Sequence, residues 1–177
     1  ASEDKTARIF NTRSGAVERV LNGHTDRVRS AEFSADGKRV LTASDDRTAR
    51  LWDAQTGQLV QTLAGHADRV RSAALSPDGT LIITASADQT ARLWSVSGQQ
   101  LVVMRGHSDD IRHAAFSPDG KRVVTASEDF LVLVHPATIP GFYDFACRAL
   151  RNLDLQTAPP AEVAAADLKQ LLATCPK

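Results

Sequence analysis

The segment GHTDRVRSAEFSADGKRVLTASDDRTARLWD, Gly23 to Asp53, returns in altered form from Gly65 and again from Gly106, at intervals of 42 and 41 residues. A period of this length belongs to chains whose fold is the repeat itself, because one unit cannot bury its apolar face without a neighbour. Within a unit, RVRSAEFS, RVLTAS, ARLWDA and QLVQTLAG are each of strand length, and the first two alternate in polarity. They are parted by SADG or SPDG, by an Asp-rich turn and by QTG, where glycine accepts the positive φ of a tight reversal. Each unit therefore reads as four antiparallel strands, a to d.

The recurring Gly-His at Gly23, Gly65 and Gly106, with LWD at Leu51 to Asp53 and LWS at Leu93 to Ser95, resembles the WD-repeat family of β-propellers over residues 1–135. The resemblance implies an all-β fold of four-stranded propeller blades, to which a small α-helical C-terminal tail is added. The expected division is a partial blade of strands c and d over 1–22, blades over 23–64 and 65–105, an incomplete last blade of strands a to c over 106–135, and a helical tail over 136–177. That amounts to slightly more than three blades. Propellers have about 4 to 8, so the chain is not expected to close a ring by itself. It is expected to be the C-terminal part of a larger protein, with a homodimer of about six blades as another way to completion.

The resemblance also gives the histidines a structural role. In the family an indole N–H, a hydroxyl, the Gly-His imidazole and a turn aspartate form one bonded chain. Carried over, these are Trp52, Thr42 or Ser44, His24 and Asp46, then Trp94, Thr84 or Ser86, His66 and Asp88. Which hydroxyl serves stays open in the sequence. In the third copy His107, Ser127 and Asp129 are present, with Val134 read at the tryptophan position. A Ser, His and Asp set also evokes a hydrolase triad, but a triad occurs once per site and needs an exposed nucleophile. A copy in every blade points to architecture, so the three histidines are read as braces.

Family contacts at the loop face carry over to Arg27, Arg29 and Asp45, to Arg69 and Arg71, and to Asp110, Arg112 and Glu128. Arginine presents a planar fork suited to carboxylates and phosphates, so the expected partner is a protein or peptide, acidic or phosphorylated. The opposing expectation is that these arginines pair with Asp26, Asp45, Asp68 and Asp109.

Composition removes other classes. Twenty-one Lys and Arg balance twenty-one Asp and Glu, and aromatics make up 5% of the chain, which disfavours nucleic acid. No apolar run approaches the roughly 20 residues of a membrane span. Neither a phosphate-binding loop, nor HExxH, nor GxSxG, nor a Cys/His cluster occurs in the sequence, so no catalysis, metal or cofactor is expected. Cys147 and Cys175 are expected as free thiols, and the location as cytoplasmic.

After Pro136 the periodicity turns helical. Phe142, Phe145, Ala149, Leu150 and Leu153 share one face, and Ala164, Leu168, Leu171 and Leu172 another, which predicts two short helices capping the last blade. The stretch ACRALRNLDL with the terminal TCPK is similar to tails that follow propellers in large bacterial signalling proteins. That likeness implies a regulatory or sensor role beside an upstream NTPase or kinase.

Overall fold

The computed structural model describes residues 1–137. Ala1–His135 form one compact unit. The two helices expected beyond Pro136, the two cysteines and the likeness to signalling tails lie outside the described residues.

Among the described residues, thirteen strands form four antiparallel sheets of two, four, four and three strands. The first sheet pairs β1 (Ala7–Phe10) with β2 (Val17–Leu21). The second runs in chain order through β3 (Val28–Phe33), β4 (Arg39–Ser44), β5 (Thr48–Asp53) and β6 (Leu59–Ala64). The third repeats this with β7 (Val70–Leu75), β8 (Leu81–Ser86), β9 (Ala91–Ser95) and β10 (Gln100–Met104). The fourth stops after three: β11 (Ile111–Phe116), β12 (Arg122–Ser127) and β13 (Val132–Pro136). Two complete sheets thus lie between two incomplete ones, as the repeat predicts.

The turn before each third strand sets the register. Lys5, Arg47, Gln89 and Phe130 all take left-handed φ between 65° and 73°, in the turn whose Asp side chain accepts from the amide two residues on. Counting five residues beyond Arg47 and Gln89 reaches Trp52 and Trp94, and five beyond Phe130 reaches His135. The placement of Val134 at the tryptophan position is therefore corrected by one residue. The doubled Leu-Val of LVLVHP hides the frame, whereas the turn fixes it.

Sheets pack face to face in chain order. Ala7 and Leu21 of the first sheet cluster with Val28, Val40 and Trp52 of the second. Leu41 and Ala43 of β4 meet Val70, Ala73 and Leu75 of β7. The inner strands β7 and β11 pack together, and β11 also packs on β8. Each fully buried Leu or Ile in these layers contributes about 2 kcal/mol. Polar stitches cross the layers as well: the Val28 amide donates to the Ser2 carbonyl, and the Ala114 amide to Ser72 Oγ at 3.0 Å.

Exposure of equivalent positions follows from this order. Leu41 and Ile83 are sealed, but Val124, at the same place in β12, has no following sheet among the described residues and is exposed. Likewise Ala73 and Leu75 of β7 are buried, while Ala31 and Phe33 of β3 lie open. Phe130, Leu131, Val132 and Val134 are exposed along the turn and strand that end the fourth sheet.

Candidate functional site

Each Gly-His loop lies against the third strand of its own sheet. A Cβ on Gly23, whose φ is 150°, would come 2.6 Å from Arg50 Nη1 and 3.3 Å from Trp52 Cη2, so only glycine lets the loop approach. The histidine that follows is thereby delivered beneath the tryptophan.

In the second sheet Trp52 Nε1–H donates to Thr42 Oγ1 at 2.9 Å. His24 Nε2 lies 2.8 Å from the same hydroxyl, and His24 Nδ1 lies 2.7 Å from Asp46 Oδ2. The third sheet repeats the chain with Trp94, Thr84, His66 and Asp88 at 2.7 to 2.9 Å. One assignment of hydrogens satisfies every member. The indole donates to the hydroxyl, the hydroxyl to Nε2, and Nδ1–H to the carboxylate, which requires neutral imidazole. Both imidazoles stand edge-on to their tryptophans, with ring centroids 6.2 and 6.4 Å apart.

Burial works to raise the Asp46 and Asp88 carboxyls, but hydrogen bonds from the histidine, from Thr48 or Thr90 and from a loop amide overrule it. Both are held well below the usual carboxylate range. Burial also pushes the His66 imidazole down, against the pull of Asp88. The His24 and His66 side chains are 1% exposed, so no substrate reaches their nitrogens.

The hydroxyl that sequence left open is the threonine. Ser44 and Ser86 instead donate to the carbonyls of Asp26 and Asp68, at 3.1 Å each, and lie outside the chain of bonds. The placement of Ser127 in the third network is corrected for the same reason. Ser127 donates to the Asp109 carbonyl at 3.0 Å, and Thr125 Oγ1 meets His107 Nε2 at 2.9 Å, with Nδ1 on Asp129 at 2.8 Å. Thr125 was legible as the residue aligned with Thr42 and Thr84 in RVVTAS. At the position of Trp52, His135 is pushed down by burial and by the neighbouring His107.

At the loop end of the inner strands, the predicted partner-binding residues come together as ion pairs. Arg29 forks onto Asp45, with Nε at 2.8 and 2.9 Å from its two oxygens. Arg112 pairs with Glu128. Arg71 has Ala87 where its sisters have Asp45 and Glu128, and crosses to Asp110 of the fourth sheet at 2.7 Å. Arg27 crosses the other way to Glu3, at 3.0 Å, a residue sequence reasoning had not singled out although it aligns with Asp45. Arg69 meets Asp68 at 3.4 Å. Asp26 and Asp109 cap the backbone amides that follow them and take no arginine among the described residues. Asp109, Asp110 and Glu128 bring carboxylate oxygens within 4.8 Å of one another, a spacing that could hold a cation. Two of the three are already neutralised by Arg71 and Arg112.

Comparison with known families fits this geometry. The model of the WD domain, G-beta repeat, matches three segments, residues 15–53, 57–95 and 98–135. The chain belongs to the WD-repeat family. Each matched segment begins before or within the last strand of one sheet and ends in the third strand of the next, so every sequence repeat ties two sheets together. No curated protein was found to match the chain.

Proposed function

We propose that this chain is a non-catalytic interaction module that displays, at the loop end of its inner strands, a braced row of arginines and carboxylates to a protein partner. WD-repeat domains are protein-interaction modules, and their folds generally serve as scaffolds. The observation that carries the reading is the pairing of all five arginines with carboxylates, two of them across sheet boundaries. Paired side chains are preorganised, so a partner that engages them loses little rotamer freedom on binding.

An acidic or phosphorylated segment would bind by displacing Glu3, Asp45, Asp110 or Glu128 from their arginines. A partner carrying both signs of charge matches the row without that exchange, and we favour it. Affinity capture with the wild-type chain and with an Arg29→Ala, Arg112→Ala variant tests the site. A binder lost on the variant and weakened by salt supports it, and a binder held equally by both overturns it.

Self-association is favoured by one further observation. Among the described residues the face of β12, with Val124, is open and is the equivalent of the β4 face that already receives β7, and the open Ala31 and Phe33 of β3 are the equivalents of its ligands Ala73 and Leu75. A second copy of this chain could therefore dock head to tail on itself. Light scattering decides: a monomer at high concentration, or a dimer untouched by Phe33→Asp, sinks this reading. The regulatory role beside an NTPase or kinase rests on the tail alone.

A further inference from the structure

The loop that carries His24 into the second sheet begins Asn22–Gly23, whereas its sisters begin Ala64–Gly65 and Arg105–Gly106. Leu21 before it and His24 after it are buried, but Asn22 and Gly23 themselves are exposed. Neither the Asn22 side chain nor the Gly23 amide enters a hydrogen bond among the described residues. The side-chain amide is therefore unheld beside an open main-chain nitrogen, and glycine puts no Cβ in the path between them.

We propose that Asn22 is a site of spontaneous deamidation, and that its β-linked product unfastens the brace of the second sheet. The Gly23 nitrogen, on losing its proton to hydroxide, attacks Asn22 Cγ. The N–Cγ bond forms, the Cγ–Nδ2 bond breaks, and ammonia leaves with a proton taken back from water. Water then opens the cyclic imide on either side. Cleavage of the N–Cγ bond restores the ordinary main chain with an aspartate at position 22. Cleavage between the Gly23 nitrogen and the main-chain carbonyl carbon of residue 22 leaves the chain running through Cβ and Cγ, one atom longer. Nothing is oxidised or reduced.

The longer product is the one the fold resists. Gly23, at φ 150°, runs so close to β5 that a Cβ on it would already lie 2.6 Å from Arg50 Nη1 and 3.3 Å from Trp52 Cη2. One residue on, His24 is fixed at both ring nitrogens, 2.8 Å from Thr42 Oγ1 and 2.7 Å from Asp46 Oδ2. One residue before the pair, Leu21 is paired with Ala7 and clustered with Val28, Val40 and Trp52. An extra main-chain atom between two pinned residues redirects Gly23, which then loses its approach to Trp52, and the imidazole loses its two bonds. The ordinary aspartate adds a charge and no main-chain atom. Ala64 and Arg105 have no such amide, so the change is confined to one brace.

The experiment incubates the full chain at mildly alkaline pH and follows residue 22 by peptide mapping with mass spectrometry. Conversion to acid in both linkages is expected. The fraction bearing the β-linked isomer should lose the Trp52 indole N–H resonance and show a lowered thermal midpoint. Asn22→Ala, the residue of a sister loop, should keep its mass at this position and its midpoint through the same incubation. Asn22→Asp, measured fresh, should keep the midpoint as well, which separates the added charge from the added atom. The proposal is overturned by a residue 22 that stays amide in the folded chain while converting in denaturant. An isomer-bearing chain that retains its midpoint and its indole resonance overturns it too, as does a fresh Asn22→Asp that loses as much as the aged protein.

Discussion

Arg71 reaches out of its own sheet to Asp110, 2.7 Å away, because Ala87 fills the position from which Asp45 serves Arg29. The pair is largely withdrawn from water, with side chains 10% and 19% exposed, whereas Arg112 and Glu128 are 50% and 43% exposed. Removing the charge in Asp110→Asn should therefore cost about 2 kcal/mol, and Glu128→Gln less than about 1 kcal/mol. Denaturant unfolding of the two variants checks the ranking. Adding Ala87→Asp to Asp110→Asn should restore part of the loss by supplying a carboxylate from Arg71's own sheet.

Thr42 is the relay through which Trp52 and His24 are joined. Thr42→Val, which keeps the shape, strands both the indole N–H and the imidazole Nε2 and should cost about 3 kcal/mol or more. Trp52→Phe strands neither polar partner, since the Thr42 hydroxyl still donates to His24 Nε2, but it removes the indole donor and packed surface. A double-mutant cycle between them should show strong coupling, and additive losses would mean the chain of bonds is not cooperative.

Ser72 and Ser30 occupy the same place in successive inner strands and have opposite fates. Ser72 Oγ accepts from the Ala114 amide in the next sheet, and Ser30 Oγ is buried with no hydrogen-bond partner among the described residues. Ser72→Ala should destabilise by about 1 to 3 kcal/mol, and Ser30→Ala should be neutral or stabilising. Thermal midpoints of the two single variants read the contrast directly. Equal losses would contradict it.

Acid should unfold the chain in two stages. The folded His66 imidazole lies below its ordinary 6.5 through burial, so below pH 6.5 the unfolded state takes up a proton that the folded state resists. Its contribution is present above 6.5 and drains as pH falls toward the folded value. Asp46 and Asp88 lie well below 3.8 and Asp129 at about 2, so theirs is present above 3.8 and lost as pH drops through those depressed values. Midpoints recorded from pH 8 to pH 3 should decline in both windows. A flat profile from pH 7 down to pH 4.5 would refute the first stage.

Much of this was readable from the chain because the repeat writes each strand three times. Period, turn glycines and alternation fixed the sheets of two, four, four and three strands. The choice between Thr42 and Ser44 was not readable, since the two sit two residues apart on one strand with equivalent hydroxyls, and only distance to the indole separates them. In the third copy Ser127 was named, although RVVTAS also places Thr125 level with Thr42 and Thr84. The ion pairs were half visible: Arg29 and Asp45 share one repeat, but Arg71 and Asp110 belong to different ones, and pairing between copies leaves no trace in the pattern of either.

The equivalence of successive faces has a consequence for descent. Leu41 and Ala43 offer β7 the same landing that Ile83 and Ala85 offer β11, so excising or duplicating one unit of about 42 residues would leave every remaining boundary with a familiar counterpart. Length in such a lineage can change by whole units at little risk to what stays behind, while a gain or loss of half a unit would orphan a histidine from its threonine.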